Sequence, residues 1–428
     1  MKTMIYTVNS NDTIYSISER FGIPSFQLIS DNGLDPLLPL VKGQSLLILK
    51  ASETYSVRPG DTVYSIAAAT GITVYELWQN NPILMGESNL IPGQTLVIKR
   101  EQTPLRPILT SGYAYTYIDD SQLRATLPYL TYLSVFPYGV TAEGAVIPPE
   151  GPERLVNAAK SYSAVPLLSL TSLTEEGVFS SELVNAILQS EELTDRVIAS
   201  TRDTVIAEGF GGVDMDFEFI DPSLAEAYAA FVNKLKAALG EGYTVFADLA
   251  PKTYSAQPGL LYEGHSYPLL GNAADYLFLM TYEWGYMYGP PLAVSPIANV
   301  RSVVEYAVSE ITSSKLLLGM PSYGYDWPLP FIKGETKADS LSPENAVLLA
   351  ERTGSEILYD TEYESPYFYY SKNGTDHVVW FQDARSADRL SRLCDLFGMG
   401  GIGIWNVMRA FPQLYTVISS NYSIIKLT

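Results

Sequence analysis

Three carboxylates stand at every second position of the run Gly211-Gly-Val-Asp-Met-Asp-Phe-Glu218: Asp214, Asp216 and Glu218. Side chains alternate along an extended strand, so these acids share one face. Met215, Phe217 and Phe219 take the other face, where they can pack under helices. Like charges crowded on a buried face cannot all ionise and must share protons. No Lys or Arg in the segment compensates them. Glu218 lies nearest the C-terminal end of the strand, with Asp216 one step below. That order suits general acid–base work, because Asp216 raises the neighbouring pKa and leaves Glu218 a proton to donate near neutral pH.

Other reactive side chains are scarce. Cys394 is the single cysteine, so no internal disulfide and no thiolate metal cluster can form. His265 and His377 are the only histidines and lie far apart, which argues against a histidine-rich zinc site or a Ser-His-Asp triad. Both are expected to be structural or surface residues. Catalysis by carboxylates is expected to need no cofactor and no metal. The net charge of −20 disfavours nucleic acid and anionic membranes as partners and suits a neutral, sugar-like ligand. Hydrophobic residues make up 47% of the 428 residues, enough for a substantial core.

The elements that position the acids follow from residue 108 onward. β-rich apolar runs at 109–117, 130–136, 164–170, 212–219, 243–250, 275–282, 315–321 and 401–405 alternate with helical stretches such as 182–190, 224–239 and 300–312. Eight such strands predict an α/β fold, a (β/α)8 barrel whose active site lies at the C-terminal ends of the strands. Residues 322–379 exceed an ordinary crossover and hold a helix (342–352), Tyr-rich strands and an Asn373-Gly374 hairpin turn. They are expected to form a small α+β insertion after strand seven.

The N-terminal part repeats. Tyr6–Ile23 aligns with Tyr55–Ile72 at an offset of 49, with nine of 18 pairs identical. Each copy reads as a βααβ unit. It opens with a strand, starts a helix at Asp12-Thr13 or Asp61-Thr62, ends a second helix at Asp31-Asn32 or Asn80-Asn81, and closes after Lys-Gly-Gln or Pro-Gly-Gln. The repeats, with their shared Tyr-x-Val-x-x-x-Asp-Thr-x-Tyr-Ser-Ile, resemble the LysM module, which binds polymers containing N-acetylglucosamine. Asn11 departs from the module's usual glycine, present as Gly60 in the second copy. Modules are expected at residues 1–50 and 51–100, joined by the Pro-containing linker 101–107 to a barrel at 108–428.

The acid-bearing run resembles the DGxDxDxE motif of glycoside hydrolase family 18 through Gly212, Asp214, Asp216 and Glu218, with Gly211 in place of the first aspartate. Met280-Thr-Tyr-Glu283 resembles the family's Met-x-Tyr-Asp, with Glu283 in place of the aspartate, and Trp405 matches its aromatic floor. The family's Ser-x-Gly-Gly element is not evident at Ser169–Ser172. The resemblance implies a retaining, substrate-assisted glycosidase. Glu218 would be the acid, Asp216 and Asp214 its partners, and Tyr282 the holder of the acetamido group. Trp405, Met280, Glu283, Trp284, Tyr323 and Tyr325 would contact substrate, with Trp327 a further cleft candidate.

Two LysM modules before such a barrel look like the spore-cortex-lytic N-acetylglucosaminidases of endospore-forming bacteria. Ala250-Pro-Lys252, Met280–Gly285, Gly319–Trp327 and Trp380–Ser386 also fit that branch. It implies action on peptidoglycan of the spore cortex during germination, with a chitinase or an inactive glycan-binding protein as the alternatives. A monomer in the spore or at the cell wall is expected. The start MKTMIYTVNSNDT has no apolar run of signal-peptide length, and no stretch is long enough to predict a transmembrane helix.

Overall fold

The structure, a computed structural model, describes residues 4–427; residues 1–3 and 428, at the outer edges of the expected first module and barrel, lie outside the described residues. The first repeat folds as strand Met4–Thr7, helices Ile14–Phe21 and Ser25–Asn32, and strand Ser45–Ile48, the strands antiparallel. The second repeats this with strand Ala51–Ser56, helices Val63–Thr70 and Val74–Asn80, and strand Thr95–Arg100. In each Asp-Thr pair the threonine is the helix cap: Thr13 and Thr62 form capping boxes with Ser16 and Ser65. The aspartate closes the turn before it, Asp12 accepting from Tyr6 and the Asn9 N–H, and Asp61 from Tyr55 and the Arg58 N–H. Asn11 adopts φ 70°, the left-handed conformation that Gly60 takes at 90°, so the turn survives the substitution. Asn32 and Asn81 each exchange two hydrogen bonds with a closing strand, at Leu47 and Val97, which explains the asparagine before each loop.

Among the described residues, eight parallel strands close a barrel: Pro107–Tyr115, Tyr132–Val140, Val165–Thr171, Gly212–Asp216, Thr244–Leu249, Tyr276–Leu279, Leu316–Pro321 and Gly401–Trp405. The first pairs with both the second and the eighth. Inward-facing Tyr113, Tyr132, Phe136, Leu167, Phe246, Phe278 and Leu317 fill the lumen. Gly403 leaves room for one of these rings, since a Cβ there would meet Phe278 at 2.3 Å. Outward-facing Val213 and Met215 pack in the larger core shared with the surrounding helices, such as Ala225–Leu239.

The strand carrying the acids is shorter than its sequence suggests. The ladder to strand three ends at Thr171–Asp216 and that to strand five at Ala247–Met215. Glu218 therefore lies beyond the strand. Phe219 does not pack under a helix as the alternation predicted: its φ is 55° and it is 48% exposed.

Between strand seven and helix Ala384–Leu396, strands at 324–329, 339–341, 358–360, 365–372 and 375–380 form an antiparallel sheet with helix Pro343–Thr353. Asn373 and Gly374, at φ 52° and 82°, make its hairpin turn.

The repeats are docked rather than tethered. Leu47 and Leu49 belong to the main barrel core. The Tyr75 hydroxyl donates to Ser163, Gln79 to the Pro128 carbonyl, and the Ile357 N–H of the insertion to the Lys42 carbonyl. Arg100 and Asp31 form a buried bidentate pair joining one repeat to the other. The expected linker is itself held, by the Leu105 N–H on the Asn421 carbonyl and by Arg106 on the Cys394 and Met399 carbonyls.

Candidate active site

Strand four brings Asp214 and Asp216 into the upper lumen. Asp214 is fully buried, and its Oδ2 accepts the Ser134 hydroxyl at 2.5 Å. Neither Asp214 Oδ1 nor Asp216 Oδ1 has a hydrogen-bond donor among the described residues. Burial raises the Asp214 pKa, against hydrogen bonds that lower it. Asp216 is pushed well above the carboxylate range by burial and then by the charges of Glu218 and Asp214. Burial also raises Glu218. Burial and crowding thus favour the protonated forms of these acids.

Glu218 is aimed by its neighbours. Phe217 packs on Tyr228 and Phe231 of helix Ala225–Leu239, at ring separations of 6.0 and 5.7 Å. The carbonyl of Phe217 is hydrogen-bonded to His265 Nε2 at 2.9 Å. The left-handed Phe219 then turns the chain away.

A fourth acid lies beside the row, on the neighbouring strand. Asp248 on strand five is buried and accepts the Tyr113 hydroxyl of strand one at 2.8 Å. Sequence reasoning overlooked it. The available signal was one aspartate in register with Phe246 in an otherwise apolar strand.

Across the lumen, Tyr282 follows strand six and stacks on Trp405, with centroids 6.4 Å apart and planes 12° from parallel. Tyr113 and Phe136 hold Trp405 by its edges. Burial and the charges of Asp248, Asp216, Glu218 and Glu283 together hold the Tyr282 hydroxyl protonated. Asp214, Asp216, Glu218, Tyr282 and Trp405 thus converge from three strands.

The remaining candidates separate. Met280 packs against the lumen aromatics. Glu283, at φ 66°, lies at the mouth, and its Oε1 accepts the hydroxyls of Tyr323 and Tyr325. Those tyrosines are almost wholly buried and hold Glu283 rather than lining an open groove. Trp284 packs against the barrel core. Trp327 is not a cleft residue: it is fully buried and donates to the Gly289 carbonyl. His265 is a buried structural residue, and His377 pairs with Asp326 in the insertion.

Residues 167–410 match glycosyl hydrolases family 18, and residues 6–48 and 55–99 each match the LysM domain. The chain is 36% identical over 426 residues to the cortical fragment-lytic enzyme of Bacillus anthracis, covering 99% of each. The crystal structure of the Bacillus cereus spore cortex-lytic enzyme SleL superposes with a TM-score of 0.84 at 34% identity, over 100% of this chain and 99% of that one. The Bacillus megaterium QM B1551 spore cortex-lytic enzyme SleL superposes at 0.83 and 35%, over 99% of each. With the carboxylate strand, the closed barrel and both repeats accounted for, the chain belongs to glycosyl hydrolases family 18 and is a glycosidase carrying two LysM domains.

Proposed function

We propose that this glycosidase cleaves N-acetylglucosaminyl bonds in spore-cortex peptidoglycan, with retention of configuration and with the substrate's own acetamido group as nucleophile. The convergence of Asp216, Glu218 and Tyr282 over Trp405 carries the chemistry. An N-acetyl sugar lies on the Trp405 face. Glu218 gives its proton to the glycosidic oxygen as the bond to the anomeric carbon breaks. The acetamido oxygen attacks that carbon and closes an oxazolinium ring. Asp216 holds the acetamido nitrogen and stabilises the positive charge developing there, while Asp214 sets the charge of Asp216 from below. Tyr282 donates its hydroxyl hydrogen to the acetamido oxygen. Glu218, now a carboxylate, takes a proton from water, which opens the ring and regenerates the acid. The usual reading of carboxylate separation does not apply to such a mechanism.

The choice of polymer rests on the end-to-end match with cortex-lytic enzymes. On this reading the protein works in the spore as a monomer, with the LysM domains holding the glycan. Mass spectrometry of muropeptides released from cortex fragments tests this. Products with new N-acetylglucosamine reducing ends are expected; cleavage of chitin oligomers with cortex left intact would make the protein a chitinase.

A further inference from the structure

Asp248 is 3% exposed, at the end of strand five. Its Oδ1 accepts the Tyr113 hydroxyl, and it stands on the strand paired with that of Asp214, two residues beyond Phe246, the register partner of Asp214. Asp214 commits Oδ2 to Ser134 and leaves Oδ1 without a donor among the described residues. Two carboxylates can hydrogen-bond to each other only if one keeps a proton, and two ionised acids at this depth would carry a large desolvation cost. We propose that Asp248 is a positioning residue that keeps its proton at working pH and donates it in a hydrogen bond to Asp214, so that the pair carries a single negative charge beneath Asp216.

The surroundings agree. Asp214 and Asp216 of strand four, Tyr113 of strand one, Tyr228 of the helix after strand four and Tyr282 after strand six face Asp248. None is basic. Lys252, four residues on, donates instead to the His265 carbonyl. Burial and the charges of Asp214 and Asp216 push Asp248 well above the carboxylate range. Protonation falls on Asp248 rather than Asp214 because Asp214 already accepts a short bond from Ser134, which favours its ionised form. The charge kept on Asp214 raises Asp216 and favours a proton shared between Asp216 and Glu218.

Asparagine is the isostere of a protonated aspartate, with an N–H to donate to Asp214 and a carbonyl to accept from Tyr113. Asp248→Asn should therefore keep kcat on N-acetylglucosamine oligomers within about threefold and leave the alkaline limb of the pH profile in place. Asp248→Ala removes the donor, so Asp214 takes up the proton and the charge beneath Asp216 is lost. The kcat should fall about tenfold, with KM changed less than about twofold, and the alkaline limb should move to lower pH. The infrared difference spectrum of wild type minus Asp248→Asn at neutral pH should contain the C=O stretch of a protonated carboxylic acid. This arm does not depend on the glycosidase mechanism proposed above and would stand if that mechanism failed; it also decides the matter if Asp248→Ala does not fold. Absence of the band, an Asp248→Asn variant as impaired as Asp248→Ala, or an Asp248→Ala variant with unchanged kcat and pH limbs would overturn the proposal.

Discussion

His265 Nε2 donates to the carbonyl oxygen of Phe217 at 2.9 Å, one residue before Glu218. The direction follows from the other ring nitrogen, since Nδ1 accepts the Ala250 N–H at 2.9 Å and cannot carry the proton. One neutral imidazole thus joins the end of strand five to the segment that carries Glu218 beyond the end of strand four. It holds that segment where no sheet ladder reaches.

This bridge predicts a pH-dependent stability. Burial lowers the His265 pKa from 6.5 to about 4. Above pH 6.5 both folded and unfolded states hold a neutral ring, and the full stability is present. As pH falls towards about 4 the unfolded state binds the proton first, so stability is lost, by roughly 3 kcal/mol in total. Urea unfolding at pH 7 and pH 5 should show about 2 kcal/mol of this loss, and a His265→Asn variant should lack this contribution. The variant should also lose kcat with little change in KM, because Glu218 is no longer held. Equal pH slopes in the two proteins would show that His265 is not buried neutral.

Asp216→Asn should lower kcat by about 10²–10³-fold with a modest change in KM, because it removes the charge that stabilises the oxazolinium. Asparagine at 216 also ends any sharing of a proton with Glu218, so the shape of the pH profile should change. Initial rates on N-acetylglucosamine oligomers across pH check both. An unchanged kcat would leave Asp216 without the role proposed for it.

The acid row was legible because strand periodicity places every second residue on one face, and the repeats were legible because nine paired positions are identical. Phe219 was misplaced by extending that periodicity past Asp216, where neighbouring backbones no longer pair. Asp248 is marked by no motif, only by its spacing from Phe246; strand pairing sets it beside Asp214, and only barrel closure brings it to Tyr113. The stack of Tyr282 on Trp405 likewise joins residues far apart in the chain. Docking of the repeats was hidden because Leu47 and Leu49 read as the closing strand of their own unit, although they pack in the barrel core.

That docking makes the Asp31–Arg100 pair a test of how the two repeats are joined. Both side chains are buried, at 2% and 7% exposure. Asp31→Ala leaves the guanidinium with only the Asn80 oxygens. A loss of about 3–5 kcal/mol is expected by urea unfolding. Turnover of soluble oligomers by the remaining folded protein should be unaffected, since the pair lies away from the lumen. A loss below about 1 kcal/mol would mean that the repeats reorient freely around this contact.

Glu218→Gln separates binding from chemistry. The amide keeps the shape of the acid but cannot deliver a proton to the leaving oxygen, so kcat should fall by about 10²–10⁴-fold. Burial raises the pKa of Glu218, so in wild type its contribution to stability is present while it holds its proton and is lost as pH rises through the raised value. Glutamine cannot ionise. The variant should therefore match wild type in stability at low pH and exceed it on the alkaline side, as thermal melting at several pH values would show. Sedimentation with insoluble N-acetylglucosamine polymer should still recover it, through the LysM domains and the Trp405 face. A folded variant that turns over N-acetylglucosamine oligomers at near the wild-type rate would remove Glu218 as the acid, and with it the mechanism proposed for this barrel.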